Sequence, residues 1–290
     1  GWCDWSSDVC SSDLHYTSEK NIMKVIKPLF MDDLWDEFNS AGANKPKLQK
    51  LHNKISKLRF LDPACGCGNF LIIAYREIRL LELEIVKKLL GGQTVTNISH
   101  YFLVDVDQFY GIEYEEFPSQ IAQVAMWLID HQMNMIASLI FGEYMPRIPL
   151  RKSAEILNTN ALRVDWQEIL RKKSPIENDE RFHYILGNPP FLGKQYQNDS
   201  QKDDMALIFN QVNAYGVLDY VCAWYLKAAQ YIEKFSTAND PILPRTKVAF
   251  VSTNSISQGE QVSVLWSVLL NNYHIKIHFA HRTFKWSNEA

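Results

Sequence analysis

Residues Ile185-Leu186-Gly187-Asn188-Pro189-Pro190-Phe191 form an apolar run that ends in an Asn-Pro-Pro-aromatic turn. The turn can present three groups together: the Asn188 side-chain oxygen and the Pro189 carbonyl as hydrogen-bond acceptors, and the Phe191 ring as a stacking face. Pro189 and Pro190 restrict the backbone that places them. These groups suit methylation of a planar exocyclic amine. The amine of adenine is a weak nucleophile because its lone pair is delocalised into the ring. Two acceptors facing its two N–H groups, with a clamp on the base, address that weakness, and preorganised polar groups are an established catalytic device. A strand ending in a proline turn has the same local appearance, so the reading needs a second motif.

That motif precedes it in the chain. Arg59-Phe60-Leu61-Asp62-Pro63-Ala64-Cys65-Gly66-Cys67-Gly68-Asn69-Phe70 reads as a short buried strand, a Gly-x-Gly turn and a helix start. Glycines let backbone approach a ligand, and the helix N-terminus offers free N–H groups. A dinucleotide fingerprint requires a third small residue three positions after Gly68, where Leu71 stands, so binding of NAD is disfavoured.

In this order the motifs resemble those of the amino-methylating DNA methyltransferases, specifically the methyltransferase module of single-chain restriction–modification enzymes of types IIG and IIL, over about residues 15–290. The resemblance implies an α/β, Rossmann-like methyltransferase fold, S-adenosylmethionine as cofactor, no metal, and adenine N6 in double-stranded DNA as target. It also implies nuclease and target-recognition regions in the full-length chain. On the same basis, His15-Tyr16-Thr17-Ser18 is similar to the upstream motif that closes over the methionine part of the cofactor, which assigns Tyr16 and Thr17 to the cofactor site. Asp62, Pro63, Ala64, Gly66 and Gly68 correspond to the main cofactor loop; Cys67 departs from the Ser common in relatives but is nearly isosteric. Glu113, in Gly111-Ile112-Glu113-Tyr114, takes the place of the acid that holds the ribose hydroxyls. Asn160, in Thr159-Asn160-Ala161-Leu162, takes the place of the residue that meets the amino group of the cofactor's adenine. His281-Arg282-Thr283-Phe284-Lys285-Trp286 resembles the motif that walls the extruded base. Phe284 is the better match and Trp286 its rival, with Arg282 and Lys285 as phosphate contacts. Protein-glutamine and RNA amino methyltransferases, usually more compact chains, share the Asn-Pro-Pro-aromatic turn. A fragment that binds cofactor without turnover is the non-enzyme alternative.

Composition sets the limits around these motifs. The 290 residues are 47% hydrophobic, enough for one large α/β domain with a substantial core. A formal charge of −3 gives no global basic field, so DNA binding must rest on local patches. Five cysteines without paired metal spacing suggest a reduced, cytoplasmic setting. No uninterrupted apolar stretch reaches the roughly 18 residues of a membrane span, and the N-terminus lacks a basic region followed by an apolar one. Residues 1–14 read as one frame of a DNA-sequencing adapter; removing them deletes Asp4, Asp8 and Asp13 and takes the formal charge from −3 to 0. Residues 15–58 are then expected to be a helical segment with the upstream cofactor motif. Residues 59–290 are expected to be a catalytic core truncated at its C-terminus, lacking the family's antiparallel seventh strand. The resulting open sheet edge predicts low solubility.

The elements that must position the motifs alternate between helix and strand patterns. Ser18 is expected to cap a helix carrying Ile22, Val25, Ile26, Leu29 and Phe30, kinked at Pro28. A basic stretch follows at 43–57, in which Lys45, Lys47, Lys50, Lys54 and Lys57 read as a solvated face or as phosphate contacts. A helix from Asn69 to about Leu90 should stop at Gly91-Gly92. The segment 93–110, with a strand-like Tyr101-Phe102-Leu103-Val104, reads as an insertion, and it brings Asp105, Asp107, Glu115 and Glu116 into competition with Glu113. A helix from Pro118 to about Ile140 is expected to bury Ile121, Val124, Ala125, Leu128, Ile129 and Met135, with Trp127 also as packing. Further strands are expected at 154–158, 182–187, 247–252 and 275–280, making about six, with a helix at 217–235. The segment 192–218 reads as a polar loop with an acidic patch at Asp203 and Asp204.

Overall fold

The computed structural model describes residues 17–92, 97–142, 153–171, 181–236 and 243–284. Residues 1–14, together with His15, Tyr16, Lys285 and Trp286, lie outside the described residues. Three helices lead into the sheet: α1 (Glu19–Ile26), α2 (Asp32–Ala41) and α3 (Lys45–Ile55). Ser18 begins α1 through its carbonyl, which accepts from the N–H groups of Asn21 and Ile22, while its side chain makes no cap bond. Pro28, which cannot donate to the helical ladder, sits in a π-helical turn, Lys27–Met31, joining α1 to α2. The basic stretch forms α3, which buries Leu48, Leu51, His52 and Ile55 and caps its start with the Asn44 side chain accepting from Lys47 N–H.

Strand β1 (Phe60–Asp62) is followed by α4 (Asn69–Leu90), β2 (Phe109–Glu113), α5 (Glu116–Phe141), β3 (Glu155–Asn158), α6 (Trp166–Arg171) and β4 (Tyr184–Gly187). Next come α7 (Asp199–Ile208), α8 (Cys222–Lys234), β5 (Lys247–Phe250) and α9 (Gln261–Ser267). Every strand pairing is parallel and the spatial order is β3-β2-β1-β4-β5. Such a sheet buries both faces. One layer, with α1 to α5, centres on Phe30, Phe60, Tyr75 and Phe109, and the other on Trp166, Phe182, Phe209 and Tyr220. Winding reverses between β1 and β4, the place where open α/β sheets open a crevice beyond the strands' carboxyl ends. The Asp62 loop and the Asn188 turn leave from those two ends.

Four expectations need correction. Residues 101–104 are not a strand: Ile98–Tyr101 is a 3-10 turn, and Leu103 and Val104 give their N–H groups to the Glu82 carboxylate instead of a neighbouring strand. Residues 275–280 carry no strand assignment, which leaves five strands among the described residues. The segment 192–218 contains α7, started by a reciprocal capping box between Asn198 and Gln201, and Asp204 is buried within it. On α5, Val124, Leu128, Met135 and Trp127 are exposed, while Ala122, Met126, Ile129, Asp130, Met133, Asn134 and Ala137 are buried. The helix is apolar on both sides, so periodicity alone does not select the inner one. Polar contacts do: Tyr75 of α4 donates to Asp130 at 2.6 Å and Arg79 to Asn134 at 2.9 Å. By length and composition α5 is also apolar enough to cross a membrane, which a search for one uninterrupted apolar run does not reveal.

Candidate active site

Asp62 is the last residue of β1 and is fully buried. Its Oδ1 accepts from Ala64 N–H at 3.0 Å, and its Oδ2 has no partner. Burial pushes this carboxyl up to about 8; the Ala64 bond opposes the shift and the nearby Glu113 charge adds to it. Pro63 is held by its carbonyl, which accepts from the Trp224 indole of α8 at 3.0 Å. At the other end of the loop, Gly68 (φ 87°) starts α4, and a Cβ there would lie 3.1 Å from that of Ala122 on α5. The small residue absent at position 71 has a counterpart in Gly111 of β2. A Cβ at Gly111 would meet Cys65 Sγ at 2.8 Å and Leu71 Cδ1 at 3.2 Å, so the space for Leu71 comes from the neighbouring strand.

Glu113 ends β2 with its carboxylate on this loop: Oε2 accepts from Gly66 N–H at 2.8 Å and Oε1 from Glu115 N–H at 3.0 Å. Its rivals occupy other places. Asp105 caps the 3-10 turn before β2, Asp107 lies within that turn, and Glu115 and Glu116 are exposed at the start of α5. Cys65 is buried, and burial together with the Asp62 and Glu113 charges holds its thiol well up, which favours the neutral thiol over the thiolate.

Asn188 follows β4, and its buried Oδ1 has no hydrogen-bond partner. Pro189 is buried, Pro190 exposed, and Phe191 is 39% exposed, leaving a ring face open. The chain just beyond is anchored where Leu192 carbonyl accepts from Tyr220 N–H at 2.9 Å and from the Gln197 amide at 3.3 Å. The two motifs meet at Gly187 (φ 156°). A Cβ at this position would lie 2.3 Å from Asp62 Oδ1, so the residue before Asn188 must be glycine for β4 to pass Asp62.

Asn160 lies just beyond β3, with its Oδ1 accepting from Leu162 N–H and its Nδ2 donating to Asp204, both at 2.9 Å. Thr17 is buried ahead of α1. Phe284 has the Lys24 ammonium 3.7 Å over its ring, and His281 contacts the Lys24 carbonyl, so the C-terminal motif packs on α1; Arg282 is exposed. Gly187, Trp224, Gln197, Asp204 and Tyr220 are additions by the structure. Only Gly187 had a signal in sequence, as a glycine directly before the acceptor turn. Among the described residues, no group of three or more His, Cys, Asp or Glu side chains converges as a metal site would.

The DNA-methyltransferase domain of MmeI matches as a family over residues 38–290. "DNA methyltransferase A" of Bacillus subtilis is 44% identical over 278 residues, covering 96% of this chain and 30% of its own length. A putative type II restriction enzyme and methyltransferase of Methanocaldococcus jannaschii is 27% identical over 125 residues. The solved structure of the type IIL restriction–modification enzyme MmeI in complex with DNA is 55% identical with a TM-score of 0.86, covering 95% of this chain and 35% of that one. The chain thus spans about a third of the length of these two larger relatives. With the family match over most of its residues, the same parallel sheet and both motifs in place, the chain belongs to the MmeI DNA-methyltransferase domain family.

Proposed function

We propose that this chain is the methyltransferase module of a larger restriction–modification protein and transfers a methyl group from S-adenosylmethionine to adenine N6 in double-stranded DNA. The observation that carries the reading is the unpartnered, buried Asn188 Oδ1, one residue after the Gly187 that packs directly on Asp62, which also has an unpartnered oxygen. Acceptors left without donors in a folded interior are costly unless a ligand supplies the donors. Asn188 Oδ1 and the Pro189 carbonyl fit the two N–H groups of an extruded amine, and Phe191 offers the stacking face. S-adenosylmethionine, when bound, supplies an activated methyl group on a sulfonium. Asp62, with its buried free oxygen, fits that cationic cofactor, and the Gly66 to Gly68 turn gives backbone access. Glu113 takes the ribose hydroxyls through its remaining lone pairs, Asn160 the cofactor's adenine, and Tyr16 and Thr17 the methionine end.

The chain's residues accelerate transfer by position and electrostatics: Asn188 and Pro189 hold the amine as its nitrogen becomes tetrahedral, and no strong general base is required. Phe284, Trp286, Arg282 and Lys285 are assigned to the far wall of the base pocket and to phosphate. In this reading residues 15–58 form a helical segment ahead of the core at 59–290, and the protein acts in the cytoplasm, where its free Cys65, Cys67 and Cys222 stay reduced. The test is incubation with DNA and methyl-labelled cofactor, followed by nucleoside digestion. Label in N6-methyldeoxyadenosine is expected; label in another nucleoside overturns the target assignment, and cofactor binding with no labelled DNA overturns the activity.

A further inference from the structure

Asp204 is buried, and three groups donate to it: Asn160 Nδ2 at 2.9 Å and Arg163 Nε at 2.6 Å, both from the loop after β3, and the Tyr220 hydroxyl at 2.7 Å. An ionised carboxylate only accepts, so the Asn160 amide must turn its NH2 toward Asp204. Its oxygen then faces away, where Leu162 N–H takes one lone pair and leaves the other. Tyr220, whose hydroxyl closes this cluster, uses its backbone N–H to hold Leu192 directly after the Asn-Pro-Pro-Phe turn. A continuous chain of hydrogen bonds therefore runs from Asn160 through Asp204 and Tyr220 to the turn. We infer that Asp204 is a positioning residue that fixes the Asn160 amide with its oxygen outward, so that the cofactor site selects a ligand with a 6-amino group on its purine, and that it ties this selection to the base-binding turn. The inference rests on Asn160 facing the cofactor's adenine. An oxygen with a free lone pair complements an amino donor and gains nothing from a ring that lacks one, whereas an amide free to rotate can present either end.

The test compares calorimetric binding of S-adenosylhomocysteine with that of its analogue in which purine replaces adenine, lacking only the 6-amino group. The wild-type chain should prefer the adenine ligand by about tenfold, the order expected when a site built for a hydrogen bond loses its partner. Asn160→Ala should reduce that ratio to about one. Asp204→Ala should reduce it to within about threefold while leaving affinity for the purine analogue unchanged, and Asp204→Asn, whose oxygen can still accept from Asn160, should restore most of it. Should Asp204→Ala fail to fold, Asp204→Leu fills the vacated volume without an acceptor and carries the same expectation. A ratio that collapses in Asn160→Ala but persists in folded Asp204→Ala or Asp204→Leu overturns the positioning role and leaves Asn160 in place. A ratio unaffected by Asn160→Ala overturns the Asn160 assignment itself. Equal weakening of both ligands by Asp204→Ala marks a purely structural residue and also overturns the inference.

Discussion

Two buried carboxylates in different regions of this molecule, Glu82 and Asp62, are treated in opposite ways. Between α3, α4 and α5, Glu82 Oε1 accepts from His52 Nε2 at 2.9 Å, Leu103 N–H at 2.6 Å and Val104 N–H at 2.8 Å, with Arg79 Nη1 at 3.4 Å from Oε2. Arg79 in turn reaches the Val104 carbonyl and Asn134. This network fastens the insertion after α4 to the helices and fills Glu82 Oε1 with three donors, while Oε2, which has no hydrogen bond of its own, is ion-paired with Arg79. At the sheet's crevice, Asp62 Oδ2 and Asn188 Oδ1 are just as buried and have no donors. A buried carboxylate that holds three donors and an arginine is a joint, whereas Asp62 Oδ2 and Asn188 Oδ1, at the crevice where two motifs meet, leave room for a ligand to complete the hydrogen bonding.

The sharpest way to break that contrast is to remove the acid of the joint. Glu82→Ala strands Arg79 and two backbone N–H groups in the interior, and should destabilise the chain by about 3–5 kcal/mol. Thermal denaturation should show a drop on the order of 10 °C, with cofactor affinity unchanged in whatever fraction remains folded. Asn188→Ala should do the reverse: a melting temperature near wild type, cofactor affinity within a few-fold, and methylation lower by about 100- to 1,000-fold, the scale for loss of a preorganised polar group. Parallel loss of binding and turnover in steady-state and calorimetric measurements would remove Asn188 from the chemistry. Gly187→Ala tests the junction between the two motifs. Because its Cβ would lie 2.3 Å from Asp62 Oδ1, either β4 or the cofactor loop must shift, at a cost of about 1–3 kcal/mol. Both cofactor affinity and methylation should fall, unlike in Asn188→Ala.

Residues at the crevice were more legible in sequence than those that support it. Asp62, the Gly66 to Gly68 turn and Asn188 stand in short contiguous motifs whose residue types have few other uses, and they fall at the ends of β1 and β4 as a strand-turn pattern requires. Helix α4 was legible to its ends because Gly68 and Gly91 punctuate it. The inner face of α5 was not, since Asp130 and Asn134 point inward to partners 55 residues away on α4, and such a pairing leaves no local periodicity. The same holds for Asp204, which reads as half of a solvated Asp-Asp pair until Arg163 and Tyr220 are seen to converge on it. The 101–104 run looked like a strand because it is apolar, but its N–H groups bond a side chain and no ladder forms.

The smallest effect is the pH dependence of Asp62, and it sharpens the contrast because its two consequences run in opposite directions. Burial raises this carboxyl from its ordinary value of 3.8 to about 8, so the folded, ligand-free protein favours the neutral form. Its contribution to stability is therefore full below about pH 4 and is lost progressively as pH rises toward about 8. A cationic cofactor needs the ionised form, so affinity for S-adenosylmethionine should tighten over the same interval by at most about tenfold per pH unit. Calorimetry from about pH 5 to about pH 6.5 stays more than one unit below the roughly 7.7 to 8.0 at which an α-amino group such as the cofactor's own loses its proton. Across it, the melting temperature of the free protein should decline while the shift produced by cofactor grows. Asp62→Asn, which cannot ionise, should bind weakly with a flat profile, and a wild-type profile equally flat would mean that Asp62 does not meet the cofactor's charge.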